Sequence, residues 1–221
     1  MPVDANAAIE ITSYQWVPGF ARGLVRDLRV RWALEEAGLA YRVRLLDATK
    51  ERPAAYLREQ PFGQVPVFNE GDVHLFESGA IVLHIAERCE ALMPRDANGR
   101  ARTVAWVIAA LNSIEPRMME LVTIDAFNPD AEWGKLRRPG AVAAVTQRLA
   151  QLSTWLGERE YLEGRFTAGD LMMSQMLRIL RHTDIVAGFP NLARYQARCE
   201  ARPAFQRALA AQLAVWEGLP G

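Results

Sequence analysis

The sequence predicts an α/β unit of order βαβαββα followed by an all-helical half, and three observations carry that prediction. Two alternating, β-rich stretches, 9–14 and 41–46, flank a run at 24–37 that lacks helix breakers and stops at Gly38. Val65-Pro66-Val67-Phe68, the turn residues Asn69, Gly71 and Asp72, and the apolar run Val73 to Phe76 together read as a β-hairpin. Beyond the loop-forming stretch 91–100, which holds Pro94, Asp96, Asn98 and Gly99, every segment reads as helix.

Taken in order, Ile9 to Tyr14 is the first strand and 24–37 the first helix, closed by Gly38. Tyr41 to Leu46 is a second strand, and a strand–helix–strand passage implies a parallel pair. Pro53 to Glu59 forms a short helix before Pro61. After the hairpin, Ser78 is read as the cap of an apolar helix over Gly79 to Arg88. The first domain is therefore placed at 1–90 and the helical domain at 100–221. Helices are expected near 101–126, 141–157, 169–183, 191–201 and 203–217, with Pro139-Gly140 as one separator and Pro116 kinking or dividing the first. Thr167-Ala168-Gly169-Asp170 is a capping-box pattern.

Composition narrows the function. Half of the 221 residues are hydrophobic, enough for a substantial core, and Lys plus Arg equals Asp plus Glu at 26 each, which favours neither nucleic acid nor an anionic membrane. Cys89 and Cys199 fall in helical segments far apart, so no disulfide framework and a reducing compartment are expected. The N-terminus does not read as a signal peptide, and no run approaches the ~20 apolar residues of a membrane span, so cytoplasm and no membrane partner are expected. His74, His84 and His182 show no metal-ligand spacing, and no dinucleotide, Walker or nucleophile-elbow motif is present; no metal is expected.

Gln60-Pro61-Phe62-Gly63-Gln64-Val65-Pro66-Val67-Phe68 and Leu75-Phe76-Glu77-Ser78-Gly79-Ala80-Ile81 resemble the glutathione-binding core of cytosolic glutathione transferases, of bacterial type. The likeness extends to Arg31-Trp32-Ala33-Leu34-Glu35-Glu36 and to Phe166-Thr167-Ala168-Gly169-Asp170. It implies a thioredoxin-like first half, an electrophile pocket in the helical half, glutathione as co-substrate and a two-fold homodimer. It further implies that Val65, beside a Pro66 able to take a cis bond, pairs its backbone with the cysteinyl unit of glutathione; the plain alternative is that Pro66 starts a strand. Ser78, at a helix start, is implied to hold the γ-glutamyl carboxylate or acts as a cap only; Glu77 would meet the glutamyl ammonium and Gln64 the peptide's backbone or carboxylates. Lys50 faces either the glycyl carboxylate or solvent.

The reactive step needs a thiolate. A glutathione thiol, with a pKa of roughly 8.5, requires about 1.4 kcal/mol of preferential anion stabilisation per unit of depression. Where many relatives carry Ser or Cys near the first helix, this chain has Leu24 and Val25, and no cysteine precedes Cys89, which disfavours thiol-transfer chemistry through mixed disulfides. Tyr14, at the end of the first strand, is the remaining hydroxyl at a place where some members use tyrosine; its alternative is an ordinary strand tyrosine. Arg22, in the loop 15–23, supplies a cation, whereas Arg26, Arg29 and Arg31 read as a solvated helix face. The second pocket is expected beside the helix carrying Trp106, Ala109, Ala110, Asn112, Ser113, Pro116 and Met119, for an apolar electrophile. Conjugation of glutathione to such an electrophile is the expected activity. A non-catalytic binding or scaffold protein, or a glutathione-dependent peroxidase or isomerase, is the alternative.

Overall fold

A computed structural model describes residues 3–219, which divide into two compact units. The first holds the chain up to Met93 together with the segment from Arg202 onward, and the second is Pro94–Ala201.

In the first unit, β1 (Ile9–Tyr14) and β2 (Tyr41–Leu46) pair in parallel, with Ile9 opposite Tyr41 and Tyr14 opposite Leu46. The crossover between them is α1 (Asp27–Ala37), which ends on Gly38 in the left-handed region, φ 65°. α2 (Ala54–Glu59) leads to β3 (Val67–Glu70), which pairs antiparallel with both β1 and β4 (Val73–Phe76), and α3 (Ser78–Ala86) completes the βαβαββα order. The sheet order β2-β1-β3-β4 puts β1 at an inner position, and Ile9, Ile11, Val67, Phe68, Ile81 and Ile85 are buried around it. This is a thioredoxin-like unit with a mixed four-stranded sheet.

α1 departs from its sequence reading. Every residue from Asp27 to Glu35 is buried, Arg29 and Arg31 included, so the solvated arginine face is corrected. The reason is α9 (Pro203–Leu213), which was expected to close the helical half and instead packs against α1 in the first unit. Arg31 Nε donates to Asp27 at 2.7 Å, Gln212 Nε2 to the other Asp27 oxygen at 2.6 Å, and Arg31 Nη1 to the Ala211 carbonyl at 3.4 Å. Arg207 and Arg202 pair with Glu35 and Glu36. Buried charges of α1 are thereby matched by partners from far along the chain, the condition under which burial is tolerable.

The second unit is helical. α4 (Ala97–Ala109) and α5 (Glu115–Val122) are joined by a π-helical turn, Ala110–Ile114, in which the Glu115 amide reaches back to the Ala110 carbonyl. Pro116, which has no amide to donate, follows at once, so the expected division occurs through a change of hydrogen-bond spacing. A second π turn, Thr123–Phe127, precedes α6 (Glu132–Leu156). α6 runs straight through Pro139-Gly140, which was expected to separate two helices. Residues 135–140 are all exposed, so water can serve the carbonyl left without its donor.

α7 (Ala168–Ile179) is the buried centre of this unit, and α8 (Pro190–Glu200) packs on it. The Thr167–Asp170 capping box is formed, with Asp170 also accepting from the Leu162 amide and the Tyr195 hydroxyl. Burial pushes the Asp170 carboxyl up to about 6 despite those donors. A Cβ on Gly169 would lie 2.6 Å from that of Trp106, so glycine permits the close approach of α7 to α4.

Candidate functional site

The frame from Gln60 to Ser78 begins with a tight turn, in which the Gln60 side chain accepts from the Phe62 amide at 2.6 Å and the Gly63 amide bonds the Gln60 carbonyl at 3.0 Å. The Val65–Pro66 peptide is cis. The Gln64 carbonyl accepts from the Tyr56 hydroxyl at 2.6 Å, and the Val67 amide donates to Thr12 Oγ1 at 2.7 Å. Between these fixed points, neither the amide nor the carbonyl of Val65 is bonded to another of the described residues. The Gln64 side chain is exposed.

The frame ends at α3. Glu77 occupies the cap position with φ 68°, the one positive φ outside glycine among the described residues, and its side chain makes no capping bond. Ser78, read from sequence as the cap, is instead the first helical residue and is 3% exposed. Its hydroxyl accepts from Arg29 Nη1 at 3.1 Å, and Arg29 is itself 4% exposed. With one lone pair engaged by a guanidinium, the Ser78 hydroxyl still has its proton to donate, beside the first amides of α3. The Glu77 carboxylate is exposed next to this donor group.

Tyr14 closes β1, half buried, with its ring under the Arg52 guanidinium at 5.3 Å. Its carbonyl accepts from Trp216 Nε1 at 3.0 Å, and the following Gln15 amide bonds the Leu46 carbonyl at 2.9 Å, so the backbone is fixed on both sides. Ser13 is fully buried. Arg22 Nη2 donates to the Leu219 carbonyl at 3.1 Å. Lys50 is 79% exposed and pairs with Asp47 at 3.2 Å. Arg52 is the more integrated cation, donating to the carbonyls of Gly63, Asp47 and Lys50 at 2.9, 2.6 and 2.9 Å.

Sequence reasoning named Val65, Ser78 and Tyr14, took Arg29 for a solvated side chain, and did not single out Thr12, Tyr56, Arg52 or Trp216, whose partners are defined only by the fold. In the second unit, Trp106, Ala109 and Ser113 line a recess of about 170 Å³ with Ile114, Leu152, Trp155 and Met173 and the polar side chains Arg148 and Gln151, whereas Ala110, Asn112, Pro116 and Met119 do not border it. Among the described residues no three His, Cys, Asp or Glu side chains gather as metal ligands, and no helix is long and apolar enough to cross a membrane.

Comparison with known proteins converges on one family. The model of the glutathione S-transferase N-terminal domain matches residues 20–87. Glutathione S-transferase F11 of Arabidopsis thaliana is 31% identical over 178 residues, covering 73% of this chain and 81% of its own. Glutathione S-transferase PARB of Nicotiana tabacum is 31% identical over 169 residues, covering 70% and 77%. The crystal structure of a glutathione transferase from Burkholderia graminis, with two glutathione molecules bound per subunit, superposes with a TM-score of 0.80 at 27% identity, covering 92% of this chain and 88% of that one. These relatives include plant proteins as well as a bacterial one, so the expectation of a bacterial type is not carried by them.

Proposed function

Since the chain belongs to the glutathione S-transferase family, we propose that it holds glutathione on the frame from Gln60 to Ser78 and adds the thiolate to a small apolar electrophile, giving a thioether. The observation that carries this reading is Val65, whose amide and carbonyl stand without partners among the described residues between two anchored neighbours. An extended peptide can pair with such a backbone as an added strand.

In this reading the cysteinyl unit pairs with Val65, and the γ-glutamyl carboxylate meets the Ser78 hydroxyl and the free amides at the start of α3. Arg29 occupies one acceptor site of the Ser78 hydroxyl and adds positive charge behind it. Glu77 takes the glutamyl ammonium and Gln64 the peptide's polar groups. Lys50 has a minor part, because its described partner is Asp47 and it is mostly in solvent.

The sulfur then lies toward Tyr14, whose hydroxyl donates a hydrogen bond to the thiolate. Arg52 above the Tyr14 ring and Arg22 in the adjoining loop add positive potential, although Arg22 also serves the Leu219 carbonyl. A donor aimed at developing charge in a site shielded from water favours the anion and lowers the thiol pKa. The electrophile is assigned to the helical unit's apolar side chains, and the aromatic pair Trp106 and Trp155, 5.4 Å between ring centroids, suits a flat apolar molecule. We also assign a homodimer, supported by Phe62, which is 68% exposed and packs edge-on with Phe76. Sedimentation at micromolar concentration should give the mass of two chains; a monomer alone contradicts it.

The function is tested by calorimetric titration with glutathione, followed by conjugation of a dinitro-substituted aryl chloride. Saturable binding and thioether formation are expected. No saturable binding at millimolar glutathione overturns the proposal.

A further inference from the structure

Two buried hydroxyls behind the Val65 turn form a hydrogen-bond chain whose direction can be worked out atom by atom. Thr12, in β1, is 0% exposed and Tyr56, in α2, is 2% exposed. The Tyr56 oxygen is 2.6 Å from the Gln64 carbonyl, which can only accept, so Tyr56 donates there. The 3.1 Å contact between the two hydroxyls must then be donated by Thr12. Thr12 Oγ1 keeps a lone pair for the Val67 amide at 2.7 Å. The proton order is fixed: Val67 amide to Thr12, Thr12 to Tyr56, Tyr56 to the Gln64 carbonyl.

This relay ties the backbone immediately before and immediately after Val65-Pro66 to β1 and α2. We infer that Thr12 and Tyr56 are positioning residues that aim the Val65 amide and carbonyl at an extended amide-bearing ligand. The inference rests on the proposed glutathione-binding role of Val65 and adds to it the device that sets its geometry. Neither hydroxyl touches the ligand. Backbone pairing demands distances of about 2.9 Å and near-linear donors, so a small displacement of residues 64–67 weakens both bonds at once. Each member of the relay is needed: Thr12→Val removes the acceptor of the Val67 amide and the donor to Tyr56, whereas Tyr56→Phe removes the donor to the Gln64 carbonyl and the acceptor of the Thr12 hydroxyl but leaves the Val67 bond in place.

The test compares glutathione with an ester analogue in which the amide joining the γ-glutamyl and cysteinyl units is replaced by an ester. The analogue keeps its shape but has no N–H to give the Val65 carbonyl. The wild type should prefer glutathione by roughly 10-fold, about the worth of one well-made hydrogen bond. Thr12→Val should cut that preference to about 2-fold, Tyr56→Phe should cut it less, and Thr12→Ser should restore it. KM for glutathione should rise in step with the lost preference while kcat holds. If Thr12→Val folds poorly, Tyr56→Phe carries the test, because it leaves the Val67 bond in place. A wild-type preference that survives unchanged in both variants overturns the relay alone, as does equal loss of both ligands. A wild type that binds no glutathione overturns the parent reading, and the relay's role with it.

Discussion

The frame from Gln60 to Ser78 and the neighbourhood of Tyr14 belong to the same unit and the same sheet, yet they are secured differently. The frame is tied by partners that all lie before residue 79: Tyr56 bonds a carbonyl 8 residues away, Gln60 serves its own turn, and Thr12 and Arg29 reach Val67 and Ser78 from 55 and 49 residues away. The Tyr14 end depends on the far end of the chain, through Trp216, 202 residues away, and through Arg22 on Leu219. The proposed binding function thus draws on partners between Thr12 and Ser78. The proposed activating function is assembled by folding the C-terminal segment back.

That contrast can be broken from either side. The largest effect is expected at Tyr14→Phe, which should lower kcat by roughly 10²-fold, the scale of losing one donor to a developing anion, while KM for glutathione moves less than about 2-fold. Steady-state kinetics checks the split. Next, Arg29→Met should raise KM for glutathione by about 10-fold or more with kcat held, because it removes a charged donor from Ser78; Arg29→Lys should recover part of the loss. A smaller change is expected for Trp216→Phe, which deletes the bond to the Tyr14 carbonyl and should reduce kcat by roughly 3- to 10-fold without altering glutathione affinity by calorimetry. Smallest of all, Lys50→Ala should change KM by less than about 2-fold, as suits an exposed ion pair.

Much of the first unit was legible because its signals are local. Strands at 9–14 and 41–46 follow from alternation and the hairpin from its turn residues; in the second unit the Thr167–Asp170 box follows in the same way from a four-residue pattern. What escaped was set by distant partners. Arg29 and Arg31 are charged helix residues of the kind usually left in solvent, and only Ser78 in one case and Asp27 with α9 in the other explain their burial. α9 carries no mark in its own sequence that it packs on α1 in place of the helical unit. Pro139 reads as a breaker, but its exposed surroundings let α6 continue. In the site, Val65 and Ser78 were visible as motif positions. Thr12 and Tyr56 were not, since a threonine in a strand and a tyrosine in a helix look ordinary until the backbone groups they serve are brought beside them.

The division between a binding frame and an activating tyrosine is tested most directly by ultraviolet difference titration of glutathione at neutral pH, read at the thiolate band in the wild type and in Tyr14→Phe. A saturating thiolate band is predicted for the wild type, with Tyr14→Phe still binding glutathione by calorimetry but showing little of the band. A wild type that binds glutathione without the band, or a Tyr14→Phe protein that shows it undiminished, would contradict the assignment.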